Sequence, residues 1–185
     1  MATKQVDKTL ENELSAMLAD AFGGMKVRVG HSDRWDRMCA TFTWKGFGGL
    51  LTEERFARLT RAIPEEFRNK RMKGFVWLEL TPGEKIEDAL KSPRSEDVAD
   101  REGEVYTALE NADFFGALAK ALDGDPLKNC PGDFSKTLTV LKKKKFSKKK
   151  ITDAKLVFIR HGAFCDCQAM TTVRGELQKT YGARA

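Results

Sequence analysis

Residues 25–44, MKVRVGHSDRWDRMCATFTW, decide the architecture of the first half of the chain. MKVRVG alternates apolar and basic side chains, and residues 38–44 are β-branched and aromatic. Both read as strands, paired as a hairpin across the polar HSDRWDR. Upstream, Val6, Leu10, Leu14, Met17, Leu18 and Ala21 recur at helical spacing, and Gly23 with Gly24 ends that pattern. Downstream, after the turn KGFGG, Phe56, Leu59 and Ile63 fall on one face of a helix over 52–63, with Glu53 and Glu54 at the positive end of its dipole. Pro64 starts a further helical turn, EEFRNK, and GFVWLEL at 74–80 is a nearly continuous apolar strand ended by TPG. The order is αββααβ.

From Glu84 onward the pattern is helical: IEDAL, a break at SPRS, a helix capped by Ser95 and running towards Asn111, and an apolar stripe in FFGALAKAL after Asp113. DGDPLKNCPGD is a loop by composition. Two shorter helices flank a lysine run, and GAFCDCQAMTTV at 162–173 is expected to be a terminal strand, followed by a disordered C-terminal end. The expected fold class is α+β, with an α/β domain over 1–83 and a mostly helical domain over 84–185.

Charge supports that division. The chain of 185 residues carries a net +6, but KKKKFSKKK at 142–150 holds seven lysines, leaving the remainder at −1. Residues 26–73 net +6 and residues 84–122 net −5, a reversal that marks a domain boundary. An apolar fraction of 41% is enough for a real core, and no apolar run approaches the roughly 20 residues of a membrane span. The start, MATKQVDKTLENEL, is charged where a signal peptide would be greasy, so the expected location is the cytoplasm, with no membrane partner. Four cysteines, Cys39, Cys130, Cys165 and Cys167, are too few for a disulfide scaffold and are expected as thiols or metal ligands.

FGGLLTEERF at 47–56, together with the αββααβ order, resembles the BolA-like fold, in which a phrase of the type FxGLSLVQRH opens the central helix. Phe47, Gly49, Leu50 and Arg55 fall in register with it, over a match covering about residues 5–82. The resemblance implies a KH-related α/β fold. The family histidine associated with iron–sulfur ligation is Phe56 here, which weakens a cluster role, and His31 lies near another family histidine. GFGG at 46–49 fits the GxxG of KH domains but stands between a strand and the first central helix, where its glycines more simply supply a turn. Residues from about 113 to 173 resemble a small uncharacterised bacterial domain ending in a phrase such as GGYCDCEVL, with a cysteine upstream; here these are GAFCDCQAM and Cys130. That resemblance, to a bacterial family, implies a boundary and a fold without an activity.

In a strand, Cys165 and Cys167 share a face, with Asp166 on the other, and Cys130 can be brought beside them across the intervening helices. Three thiolates with His161 or an aspartate make a tetrahedral zinc site; an iron–sulfur cluster is the second option, and buried packing of the cysteines is the structural alternative. LVFIRHG at 156–162 is similar to the opening of a histidine phosphatase, but no histidine follows His161, and a helix end with a basic last turn and a terminating glycine accounts for it. Lys142, Lys143, Lys144, Lys145, Lys148, Lys149 and Lys150, with Arg55 and Arg58, are candidate nucleic-acid contacts, although the run lacks stacking aromatics. Trp35, Trp44 and Trp77 read as core, and no Ser, His and Asp set can be assembled from two histidines. The expectation is a non-catalytic regulatory or adaptor protein with a protein partner and a metal at its cysteines. A nucleic-acid-binding protein is the alternative, and a degenerate histidine phosphatase the second.

Overall fold

The computed structural model describes residues 6–182, which form two compact units dividing between Ser92 and Pro93. The chain is mixed α and β, and no helix among the described residues is long and apolar enough to cross a membrane.

The first unit opens with α1, Lys8–Leu18, whose N-terminus is capped by the Asp7 carboxylate accepting from Leu10 N at 2.9 Å. Leu10, Leu14 and Leu18 line one side and are almost wholly buried. The strands β1, Lys26–Ser32, and β2, Arg37–Thr43, pair antiparallel with Val27 opposite Phe42 and Val29 opposite Ala40. α2, Thr52–Ala62, and α3, Glu65–Arg71, then carry the chain across to β3, Val76–Leu80, which runs parallel to β2. A parallel partner requires such a crossover. The sheet order is β1-β2-β3.

Alternation gives the sheet two apolar faces. Val27, Val29, Ala40 and Phe42 join α1 and the buried Leu59 and Ile63 in the larger core. Cys39, Leu78 and Leu80 form a second cluster with Trp35, Ile86 and Ala89, so α4, Ile86–Leu90, belongs to this unit. The contact boundary therefore falls after the 83/84 position at which charge changes sign. The GFGG segment is a 3-10 turn at Lys45–Phe47, where a side chain at Gly46 would collide with the Trp44 ring, followed by Gly49 at φ +77°.

The second unit begins with a 3-10 stretch, Ser95–Arg101, running into α5, Glu102–Asn111, and then α6, Phe114–Ala121. An irregular loop leads to α7, Ser135–Lys143, and α8, Lys148–Arg160. Seven consecutive residues of α8, from Asp153 to Ile159, are buried, so this helix is enclosed on all sides rather than along one stripe. Phe158 sits at its centre, stacked on Phe114 at 5.7 Å and tilted against Phe134 at 6.0 Å. The helix ends as expected, with Arg160 in its last turn, His161 as C-cap and Gly162 at φ +74°.

The terminal strand expected at 162–173 is not formed. Asp166–Gln168 is a short helix, α9, continued by a π-helical turn at Ala169–Val173 and by α10, Arg174–Tyr181. The physical reason is that every strand among the described residues lies in the first unit, so an isolated strand here would leave its backbone groups unpaired, whereas a helix satisfies them internally. Helical structure thus extends past Val173, and the last part of the expected disordered end, residues 183–185, lies outside the described residues.

Candidate metal centre

Cys130 sits late in the loop between α6 and α7. Asp125 Oδ1 accepts from Leu127 N and Lys128 N, each at 3.2 Å, and Asn129 Nδ2 donates to Leu122 O at 3.1 Å, which shapes the approach. Pro131 and Gly132, the latter at φ +79°, then turn the backbone so that Gly132 N donates to Cys130 Sγ at 3.4 Å. On the other side, Cys165 is extended and caps α9, while Cys167 lies within it. Gln168 Oε1 accepts from Phe164 N at 2.9 Å and from Cys165 Sγ at 3.3 Å, fixing the start of that helix.

These segments bring Cys130, Cys165 and Cys167 together, with their three sulfurs all within 4.8 Å of one another. The Cys165 and Cys167 sulfurs are 3.1 Å apart. Zinc–thiolate bonds of about 2.3 Å in tetrahedral geometry place sulfurs about 3.8 Å apart, a spacing that lies inside the 4.8 Å limit and to which the Cys165–Cys167 pair would have to open. Cys165 is buried, and Cys130 and Cys167 are half-buried.

The protons are unevenly held. Burial raises the Cys130 thiol, but hydrogen bonds to its sulfur from Cys167, from the Gly132 and Cys167 N–H groups and from Cys165 outweigh it and bring it below the ordinary thiol value. Burial, reinforced by Cys130 and Cys165, pushes Cys167 up to about 12. Cys130 therefore gives up its proton more readily than Cys167, and a bound divalent cation would favour the thiolate form of its ligands.

The carboxylates next in sequence are committed elsewhere. Asp166 is fully buried, and its two oxygens accept from Lys136 N at 2.9 Å and Thr137 N at 2.8 Å, capping α7 from outside that helix. Asp133 Oδ1 accepts from Ser135 N at 2.9 Å in the same turn. His161, expected as a fourth ligand, is not among the converging groups: its Nε2 lies 2.8 Å from Glu102 Oε1 and its Nδ1 2.7 Å from Glu176 Oε2. Arg160 Nε, at 3.0 Å from Glu102 Oε2, and the Tyr181 hydroxyl, donating to Glu102 Oε1 at 3.3 Å, complete that cluster. The Asp166 cap and the His161 cluster both depend on pairs far apart in sequence.

Of the candidate nucleic-acid contacts, the seven lysines are all exposed, at the end of α7, in the turn with Lys145 at φ +61°, and in the first turn of α8. Arg55 is not on that surface. It is buried, donating to Leu50 O at 3.1 Å, Glu79 O at 2.7 Å and Glu84 Oε2 at 2.8 Å, because it ties α2 to the end of β3. Arg58 is half-buried. His31 lies 3.4 Å from Asp36 and 4.0 Å from Asp33 in the hairpin turn. Phe56, at the position of the BolA-like histidine, is exposed and packs edge-on against Trp77. Comparison with protein-family models, with curated proteins and with solved structures finds no match to the chain.

Proposed function

We propose that the chain is a non-catalytic regulatory or adaptor protein whose second unit is organised around a zinc ion held by Cys130, Cys165 and Cys167. The observation that carries this reading is the convergence of three sulfurs from two segments separated by the whole of α7 and α8. Sulfurs this close suit a single ion rather than a cluster whose thiolates bind different iron atoms. An ion there would staple the irregular Cys130 loop to α9, a structural contribution of the kind small zinc sites make to folding. The α1-β1-β2-α2-α3-β3 order of the first unit supports the BolA-like reading of that part, where a partner protein rather than a substrate would be engaged. The test is metal content of untagged protein by mass spectrometry, beside Cys165→Ser and Cys167→Ser. Near-stoichiometric zinc that disappears in both variants is expected; metal-free wild-type protein of undiminished stability contradicts the reading.

A second reading concerns the turn between α7 and α8. Lys148, Lys149 and Lys150 occupy the first turn of α8, where the helix dipole disfavours cations, and all are exposed. That placement favours an external polyanion, and nucleic acid is the one we propose. Retention on immobilised nucleic acid that falls steeply with salt, and is lost on changing these three lysines to Gln, tests it.

A further inference from the structure

The three thiols leave a tetrahedral ion one ligand short, and the structure shows where the missing ligand does not come from. Asp133 and Asp166 flank the cysteines but are bonded to the α7 N-terminus, and both ring nitrogens of His161 face carboxylates. Among the described residues, only Cys130, Cys165 and Cys167 converge as a group of three or more ligands. A zinc ion with three protein ligands keeps a position for an exchangeable one.

Charge selects what enters. A divalent ion on three thiolates is already net negative, and the Asp166 carboxyl stands between two of the ligands in sequence, with Asp133 just after Cys130 and Gly132. A further anion is opposed, whereas a neutral donor is not. The half-buried Cys130 and Cys167 leave access from solvent. We infer that the centre, if the zinc reading above holds, presents an open fourth position that takes a neutral imidazole nitrogen from outside the chain's own site. This would complete a Cys3His set. The exchange is a simple substitution: bound water leaves the ion as the imidazole lone pair binds it, with no proton released and no change in oxidation state. The imidazole has two sources, free in solution or a histidine side chain of another molecule, and the His31 of a second copy is an example of the latter.

The experiment uses the 185-residue chain loaded with one equivalent of cobalt(II), whose visible absorption reports ligand number and type, titrated with imidazole and separately with 2-mercaptoethanol. A saturable one-to-one shift of the ligand-field bands with imidazole, at undiminished thiolate charge-transfer intensity, is expected, with little response to the thiol. A spectrum that depends on protein concentration before any addition, and loses that dependence in His31→Ala, assigns the donor to a second copy and also supports the inference. Bands unmoved by imidazole overturn the open position. Preferential binding of the thiol overturns the neutral donor. No cobalt uptake at all overturns the metal reading itself, which separates that failure from the other two.

Discussion

Asp166 Oδ1 lies 2.8 Å from the amide nitrogen of Thr137, so the residue between Cys165 and Cys167 is what closes the N-terminus of α7. The Cys165–Cys167 segment and the helix that follows the Cys130 loop are thus one mechanical unit. Asp166→Ala strips two N–H groups of their acceptor in a buried setting and is expected to cost about 1–3 kcal/mol. Urea unfolding of the metal-free protein measures it; a loss under about 0.5 kcal/mol would mean the capping contributes nothing.

His161 joins α8 to α5 and α10 through Glu102 and Glu176. Burial lowers its pKa, but the hydrogen bonds and charges of the two carboxylates outweigh it, and the folded value is raised. A raised folded value means stabilisation that is complete below the ordinary histidine pKa and is lost as pH rises through the folded one. Wild-type stability should therefore decline above about pH 6.5, and His161→Gln should lack that decline. Thermal melts at half-unit pH steps decide it, and parallel slopes for the two proteins would contradict it.

Glu79 is buried on β3 with Oε1 unpartnered, and burial pushes its carboxyl to about 7, against weaker opposition from its own N–H and from Arg55. Its favourable contribution is present below the ordinary carboxylate range and fades as pH rises through about 7. Glu79→Gln should flatten the pH dependence of stability between about pH 4.5 and 8, gaining about 2–3 kcal/mol on wild type at the upper end relative to the lower. Arg55→Ala, which strands Glu84 and two carbonyls, should lose about 3–5 kcal/mol at neutral pH. Equal pH profiles for Glu79→Gln and wild type would refute the first expectation.

Lys148→Glu replaces an exposed cation at the start of α8 with an anion and is expected to raise Tm by about 1–3 °C. Calorimetry at low salt checks the sign, and a lowered Tm would contradict the dipole argument.

The first unit was legible because its patterns are local: Val27 and Val29 alternate with Lys26 and Arg28, and Leu10, Leu14 and Leu18 repeat every four residues, each stating its face directly. The second unit was legible in its helices and in the trio of cysteines, yet the backbone under Cys165 and Cys167 was misread. Alternation in a strand and the helical start at α9 both bring those two sulfurs together, so the pairing alone does not reveal which is present. Asp166, Glu102 and Glu176 act through partners 15 to 59 residues away, and Arg55 is turned inward by the β3 end, none of which leaves a periodic trace.

The central claim is that three cysteines, and not His161, hold one ion. Calorimetric titration of chelator-stripped protein with zinc tests it directly, in wild type, in Cys130→Ser, Cys165→Ser and Cys167→Ser, and in His161→Gln. One zinc per chain in wild type and His161→Gln, with affinity lowered at least about tenfold in each cysteine variant, is the predicted result. Wild-type affinity in Cys130→Ser, or its loss in His161→Gln, would contradict the account.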